Sequence, residues 1–176
     1  MKYLCLLGVF IFSDSLAQKY SVVKSQITFF SEAVLENITA TAKKSSGLLN
    51  LSNSEFAFSV PIKEFQFRKS LMKEHFNEKY MESEKYPRAT FAGKMSGFDA
   101  GVSSQQSINA SGKLTIHGVT REVEIPATIV RSGKGYAIHA EFIVKLEDYK
   151  ISRPQLLLQN IAEQVKVTVD FMMTPQ

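Results

Sequence analysis

Apolar and polar residues alternate with period two along most of the chain. Ile27, Phe29 and Ser31 alternate with Gln26, Thr28 and Phe30. Phe56, Phe58, Val60 and Ile62 share one face, with Glu55 and Ser59 on the other. Leu114 and Ile116 repeat the pattern, and Val123, Ile125, Ala127 and Ile129 stand opposite Glu122, Glu124 and Thr128. The longest stripe runs through Tyr136, Ile138, Ala140, Phe142, Val144 and Leu146. The last joins Val165, Val167, Val169 and Phe171, opposite Lys166, Thr168 and Asp170. Each stripe predicts a strand with one buried face, the signature of an antiparallel sheet.

Turn residues punctuate these runs at Asn53-Ser54, His117-Gly118 and Arg131–Gly135, and a polar Gly/Ser-rich loop spans Gly97–Ser107. Pro126 interrupts a strand pattern and marks an edge or a bulge there. One stretch departs from period two. Between Arg68 and Met81, Met72, Phe76 and Tyr80 recur every fourth residue, which predicts a short helix with Glu74 and Glu78 on its polar side. A weaker helical signal covers Arg153–Ile161. The strands fall near 20–31, 34–42, 47–52, 55–62, 89–97, 107–117, 121–130, 135–146 and 164–173, about eight in all if two neighbours merge. Many short strands joined by hairpins favour a barrel or a sandwich, and closure removes the unpaired edges of an open sheet. The expected class is therefore all-β, with an antiparallel barrel as the candidate and one or two helical turns crossing between strands. The 13 Phe residues either fill such a barrel or line a cavity in it, and alternation leaves both open.

The N-terminus belongs to no strand pattern. Lys2, the apolar run Leu4–Phe12 and the small residues of Ser15-Leu16-Ala17 have the order of a secretory leader cut after Ala17. The run is too short for a membrane span of about 20 residues. The expected organisation is a leader over 1–17 and a single domain over 18–176. The expected location is periplasmic or secreted, and no later run reaches transmembrane length. Loss of the leader removes Lys2 and Asp14, so the net charge of +4 is kept. It also removes Cys5, the single cysteine, leaving neither disulfide nor thiolate ligand. The mild basic excess lacks the dense cluster of a nucleic-acid binder.

Chemistry-bearing motifs are sparse. His75, His117 and His139 show no spacing that presents two imidazoles to one ion, so no metal or cofactor is expected. No G-x-S-x-G elbow, G-x-G-x-x-G or P-loop occurs. His75 with Glu74 or Glu78 is the faint acid–base candidate. These residues favour binding over catalysis.

Two blocks carry a family resemblance. Residues 71–91, LMKEHFNEKYMESEKYPRATF, pair a short phenylalanine-bearing helix with a "YP.ATF" strand start. Residues 112–121, GKLTIHGVTR, form a "G.LTI.G.T" hairpin. Together they resemble YceI-like proteins, over about residues 19–173. Lys19-Tyr20-Ser21-Val22 stands where many members carry a tryptophan, and residues 40–48 lack the usual glycine-rich wording. The resemblance implies a lipocalin-like, extended antiparallel barrel of the periplasm, with one or two short helices capping it. It also implies a ligand in the lumen: a polyisoprenoid, such as a quinone or prenyl phosphate, or a fatty amphiphile. Leu71, Met72 and Phe76 are then expected to cap the cavity, with Phe91 and Leu114 facing inward. Phe29, Phe56, Phe58 and Phe142 join them by alternation alone, with plain core packing equally open for each. A secreted enzyme acting on an amphiphile, and a filled barrel serving as a partner-binding module, remain alternatives. A homodimer through an exposed edge or loop is compatible with the sequence and demanded by no residue pattern.

Overall fold

The computed structural model describes residues 19–32, 37–152 and 162–176. The leader and the weaker helix at 153–161 lie outside the described residues. The strands are β1 (Lys19–Ser31), β2 (Ile38–Ala42), β3 (Ser46–Asn50), β4 (Glu55–Pro61), β5 (Gln66–Phe67), β6 (Arg88–Ser96), β7 (Gln106–Ile116), β8 (Val119–Ser132), β9 (Gly135–Lys145) and β10 (Gln164–Pro175). A helix, α1 (Ser70–His75), follows β5. Each neighbouring pair is antiparallel.

Pairing of β10 with β1 closes the sheet. The closed ring runs β1-β3-β4-β6-β7-β8-β9-β10, eight strands. The expected antiparallel barrel is therefore the fold. β2 and β5 do not add strands to the ring. β1 pairs with β3 over Lys19–Ser21 and with β2 over Ile27–Ser31, so β2 and β3 act as two halves of one broken strand. Ser25 seals the break: its Oγ donates to the Lys43 carbonyl at 3.1 Å and accepts from the Ser45 amide at 3.0 Å. The two-residue β5, which alternation did not bring out, pairs with β2 after the chain turns away from β4 at Ile62–Glu64.

A bulge at Val23 shifts the β1–β10 register, from Val22 opposite Met173 to Lys24 opposite Met172. The extra residue swaps faces. Tyr20 is buried before it, whereas Ser25 and Ile27 are buried after it. Two-residue turns join β7 to β8 and β8 to β9. His117 (φ 51°) and Gly118 (φ 73°) are both left-handed, as a type I′ hairpin requires.

One end of the barrel, the base, is filled. Tyr20 and Tyr136 meet edge to face at 5.1 Å, and Phe98 packs on Tyr136 at 5.4 Å. Arg131 stacks over Tyr136 and donates to the Ala100 carbonyl at 2.9 Å, which ties the 97–105 loop across this end. The opposite end is capped by α1, which continues through a π-helical turn, Phe76–Tyr80. Glu82, at φ 42°, follows the helical segment, and the Ser83 amide donates back to the Asn77 carbonyl. The Pro126 expectation also holds. β8 pairs with β7 along Val119–Ile129, but with β9 only along Ala127–Ser132. The ladder to β9 stops where the proline begins.

Candidate functional site, an apolar lumen

The inward faces of the strands enclose a cavity of about 240 Å³, far more than the roughly 10–15 Å³ that one water needs. The barrel is thus not filled along its whole length. Two aromatic groups border the space. Towards the cap, Phe76 stacks on Phe29 at 5.4 Å and meets Phe65 and Phe67 at 5.6 and 5.0 Å. Deeper, Phe56 contacts Phe58 at 5.5 Å and Phe91 at 4.8 Å, and Phe58 reaches Phe171 at 4.8 Å. Offset and edge-on ring pairs of this kind hold rigid walls without any polar atom.

Eight of the nine residues expected at the lumen border it: Phe29, Phe56, Phe58, Met72, Phe76, Phe91, Leu114 and Phe142. Leu71 does not. It is 54% exposed, because one residue along a helix turns the side chain by about 100°. Met72, Phe76 and Tyr80 take the inner face instead, and the wider π turn keeps Tyr80 in line with Met72. Sequence reasoning missed Phe65 and Phe67. Their i, i+2 spacing was the available signal, hidden because the run between Ile62 and Arg68 is too short to read as a strand.

Among the described residues, polar side chains bordering the lumen are few: Ser31, His75 and Tyr80, with Thr90 on the outward register of β6. Ser31 is buried and its Oγ accepts from the Ala162 amide at 3.1 Å, so it is already satisfied. Burial pushes the Tyr80 phenol above its ordinary pKa, keeping it neutral. Glu74 and Glu78 are exposed and neither pairs with His75, so the faint acid–base candidate is not assembled. Among the described residues, no three His, Cys, Asp or Glu side chains gather as metal ligands, and no helix is long and apolar enough to cross a membrane.

His117 lies outside the lumen but fastens its cap. Its side chain is 11% exposed. Nδ1 lies 3.1 Å from the Tyr149 carbonyl, which can only accept, so Nδ1 donates. Nε2 approaches Glu82 Oε2 to 3.3 Å, an ion-pair distance without hydrogen-bond alignment. The ring meets Tyr86 edge-on at 4.6 Å. Its partners Glu82, Tyr86 and Tyr149 come from segments more than 30 residues away in the chain.

A closed eight-stranded antiparallel barrel around a capped, apolar internal cavity defines the class. The chain belongs to the YceI-like domain family, whose model matches residues 19–173. Solved structures share the fold at low identity. A polyisoprenoid binding domain from Saccharophagus degradans, implicated in plant cell wall breakdown, superposes with a TM-score of 0.78 at 16% identity, covering 89% of this chain and 98% of that one. BcnA of Burkholderia cenocepacia gives 0.70 at 17%, covering 84% and 94%. The YCEI protein of Campylobacter jejuni gives 0.54 at 15%, covering 100% and 90%. No curated protein matches the sequence.

Proposed function

We propose that this chain is a non-catalytic carrier or sequestering protein, secreted or periplasmic, that holds a polyisoprenoid or a similar long-chain amphiphile in the barrel lumen. The observation that carries this reading is the lumen itself: a cavity of about 240 Å³ walled by Phe, Met, Leu, Ile and Val. Each methylene transferred from water into such a space contributes about 0.8 kcal/mol before ordering costs. A branched apolar chain therefore needs no motif to bind tightly. The polyisoprenoid-binding description of the Saccharophagus degradans domain supports the ligand class. The leader-like order of residues 1–17 supports export.

The test is extraction of the purified protein into organic solvent, followed by mass spectrometry. A near-stoichiometric isoprenoid or fatty species is expected. Ala110, half-buried on the inner face of β7 and bordering the cavity, supplies the control. An Ala110→Phe variant is expected to fold and to carry at most about a tenth of the ligand, because the added ring occupies the lumen. An empty extract from the unmodified protein, even after incubation with an isoprenoid quinone and a prenyl phosphate, overturns the reading.

A further inference from the structure

Among the described residues, the barrel wall has three interruptions, and they are closed in different ways. The break between β2 and β3 is bridged by the two hydrogen bonds of Ser25. The corner above β4, where the chain leaves at Ile62, is tied by the Ile62 amide to the Pro87 carbonyl at 2.9 Å, with α1 packed on β5 nearby. The third is the seam between Val119–Pro126 of β8 and Glu141–Lys145 of β9. Among the described residues, no backbone pairing, hydrogen bond or ion pair joins these two strand segments.

The cause lies in Pro126. The closing pair of a two-residue hairpin is hydrogen-bonded, so Ser132 and Gly135 exchange bonds across the β8–β9 turn. Alternation then aims the backbone groups of every even-numbered residue of β8 at β9. Pro126 falls on that register and has no N–H to give to the Glu141 carbonyl. The ladder ends one residue earlier, at Ala127 opposite Ala140.

Apolar side chains close the seam instead. Val123, Phe142 and Val144 belong to one cluster, and Ile125 is buried beside them in β8. At its upper end, side chains alone bridge β8 and the β7–β8 turn to the Glu147–Tyr149 turn: Arg121 Nε donates to the Asp148 carbonyl at 3.0 Å, and His117 reaches Tyr149. At its lower end the wall is thin. Ile108, Ala127 and Ala140 border both the lumen and an outer groove that includes Pro126 and Glu141.

We infer that this seam is the lateral portal through which an apolar chain passes side-on between solvent or a lipid phase and the lumen. The inference rests on the lumen reading above. Parting the two segments exposes apolar side chains but breaks no ladder bond, and the arriving chain replaces those contacts. Among the described residues, the other ring neighbours are joined by backbone ladders, and the other two interruptions are tied by hydrogen bonds.

The test staples the seam. Glu124 and Ile143 would face one another if the ladder continued, and both are exposed. Glu124→Cys with Ile143→Cys, in a Cys5→Ser background, is joined by a bis-maleimide linker containing a reducible disulfide. Lys113→Cys with Glu122→Cys, an exposed registered pair across the intact β7–β8 ladder, is joined in the same way as the control. Uptake of cis-parinaric acid is followed by its fluorescence. Stapling the seam is expected to slow uptake by about tenfold or more, as blocking a gating motion does. Reduction restores the rate, and the control staple leaves it unchanged. An unaltered rate with the seam stapled overturns the portal. A protein that takes up no probe in any form overturns the lumen reading, and the portal with it.

Discussion

Gly118 and His117 show how much of the cap depends on single side chains. Gly118 sits at φ 73°, and a Cβ there would stand 2.4 Å from Tyr86 Cε1. Gly118→Ala therefore carries both a left-handed penalty and a clash, with an expected loss of about 1–3 kcal/mol, read as a fall in Tm of several degrees. His117→Ala removes the donor to Tyr149 and leaves a void beside Tyr86. A loss of about 1–3 kcal/mol in a urea titration is expected, with the m-value kept. The buried tyrosines add a pH limit. Tyr20 is held above its ordinary pKa by burial first, then by the charge and hydrogen bond of Tyr136, with Arg131 opposing. Burial raises Tyr149 as well, and Tyr80. A folded-state pKa above the unfolded value gives stability that is whole below about pH 10 and lost as pH rises through the folded pKa. Stability is thus expected to fall on the alkaline side, and Tyr20→Phe should flatten that fall in a denaturation series run at increasing pH.

Among the elements, α1 and β8 were only partly legible. The fourfold spacing of Met72, Phe76 and Tyr80 located the helical segment and its inner face. The π turn that keeps this face aligned depends on how the segment seats in the barrel mouth, and no spacing reports it. Pro126 announced a weak strand, but the strand it weakens against is set by hairpin register. Pro126→Val supplies the missing donor. It is expected to extend the β8–β9 ladder by at least one pair and to raise stability by about 0.5–1.5 kcal/mol. Hydrogen exchange is the check: the Glu141 amide, which alternation aims at β8, should gain protection while the amides of β10 stay unchanged.

For the whole barrel, an internal apolar cavity couples binding to stability. A ligand present at about 100 times its Kd adds roughly 2.7 kcal/mol, which for a domain of this size is a rise in Tm of about 5–10 °C. A scan with and without isoprenoid quinone reads this directly. Calorimetry should give a negative heat-capacity change, because apolar area is buried. His75→Ala should leave both effects in place, since no carboxylate partners His75 at the lumen.

Local pattern was enough for the all-β class, most strand positions, the place of the helix and the inward faces of Phe29, Phe56, Phe58 and Phe142; the cap positions came from the two family blocks. The reason is that a strand's side chains alternate by geometry and a helix's recur by geometry, so both leave a period in the residue order. The contacts of His117 with Glu82, Tyr86 and Tyr149 left no such period, because they depend on which distant segments meet. The short Phe65–Phe67 run left too little of one, and the ladder that Pro126 cuts off is read only from the β8–β9 register. Only the volume left by rings packed across the closed barrel separates an open lumen from a filled core.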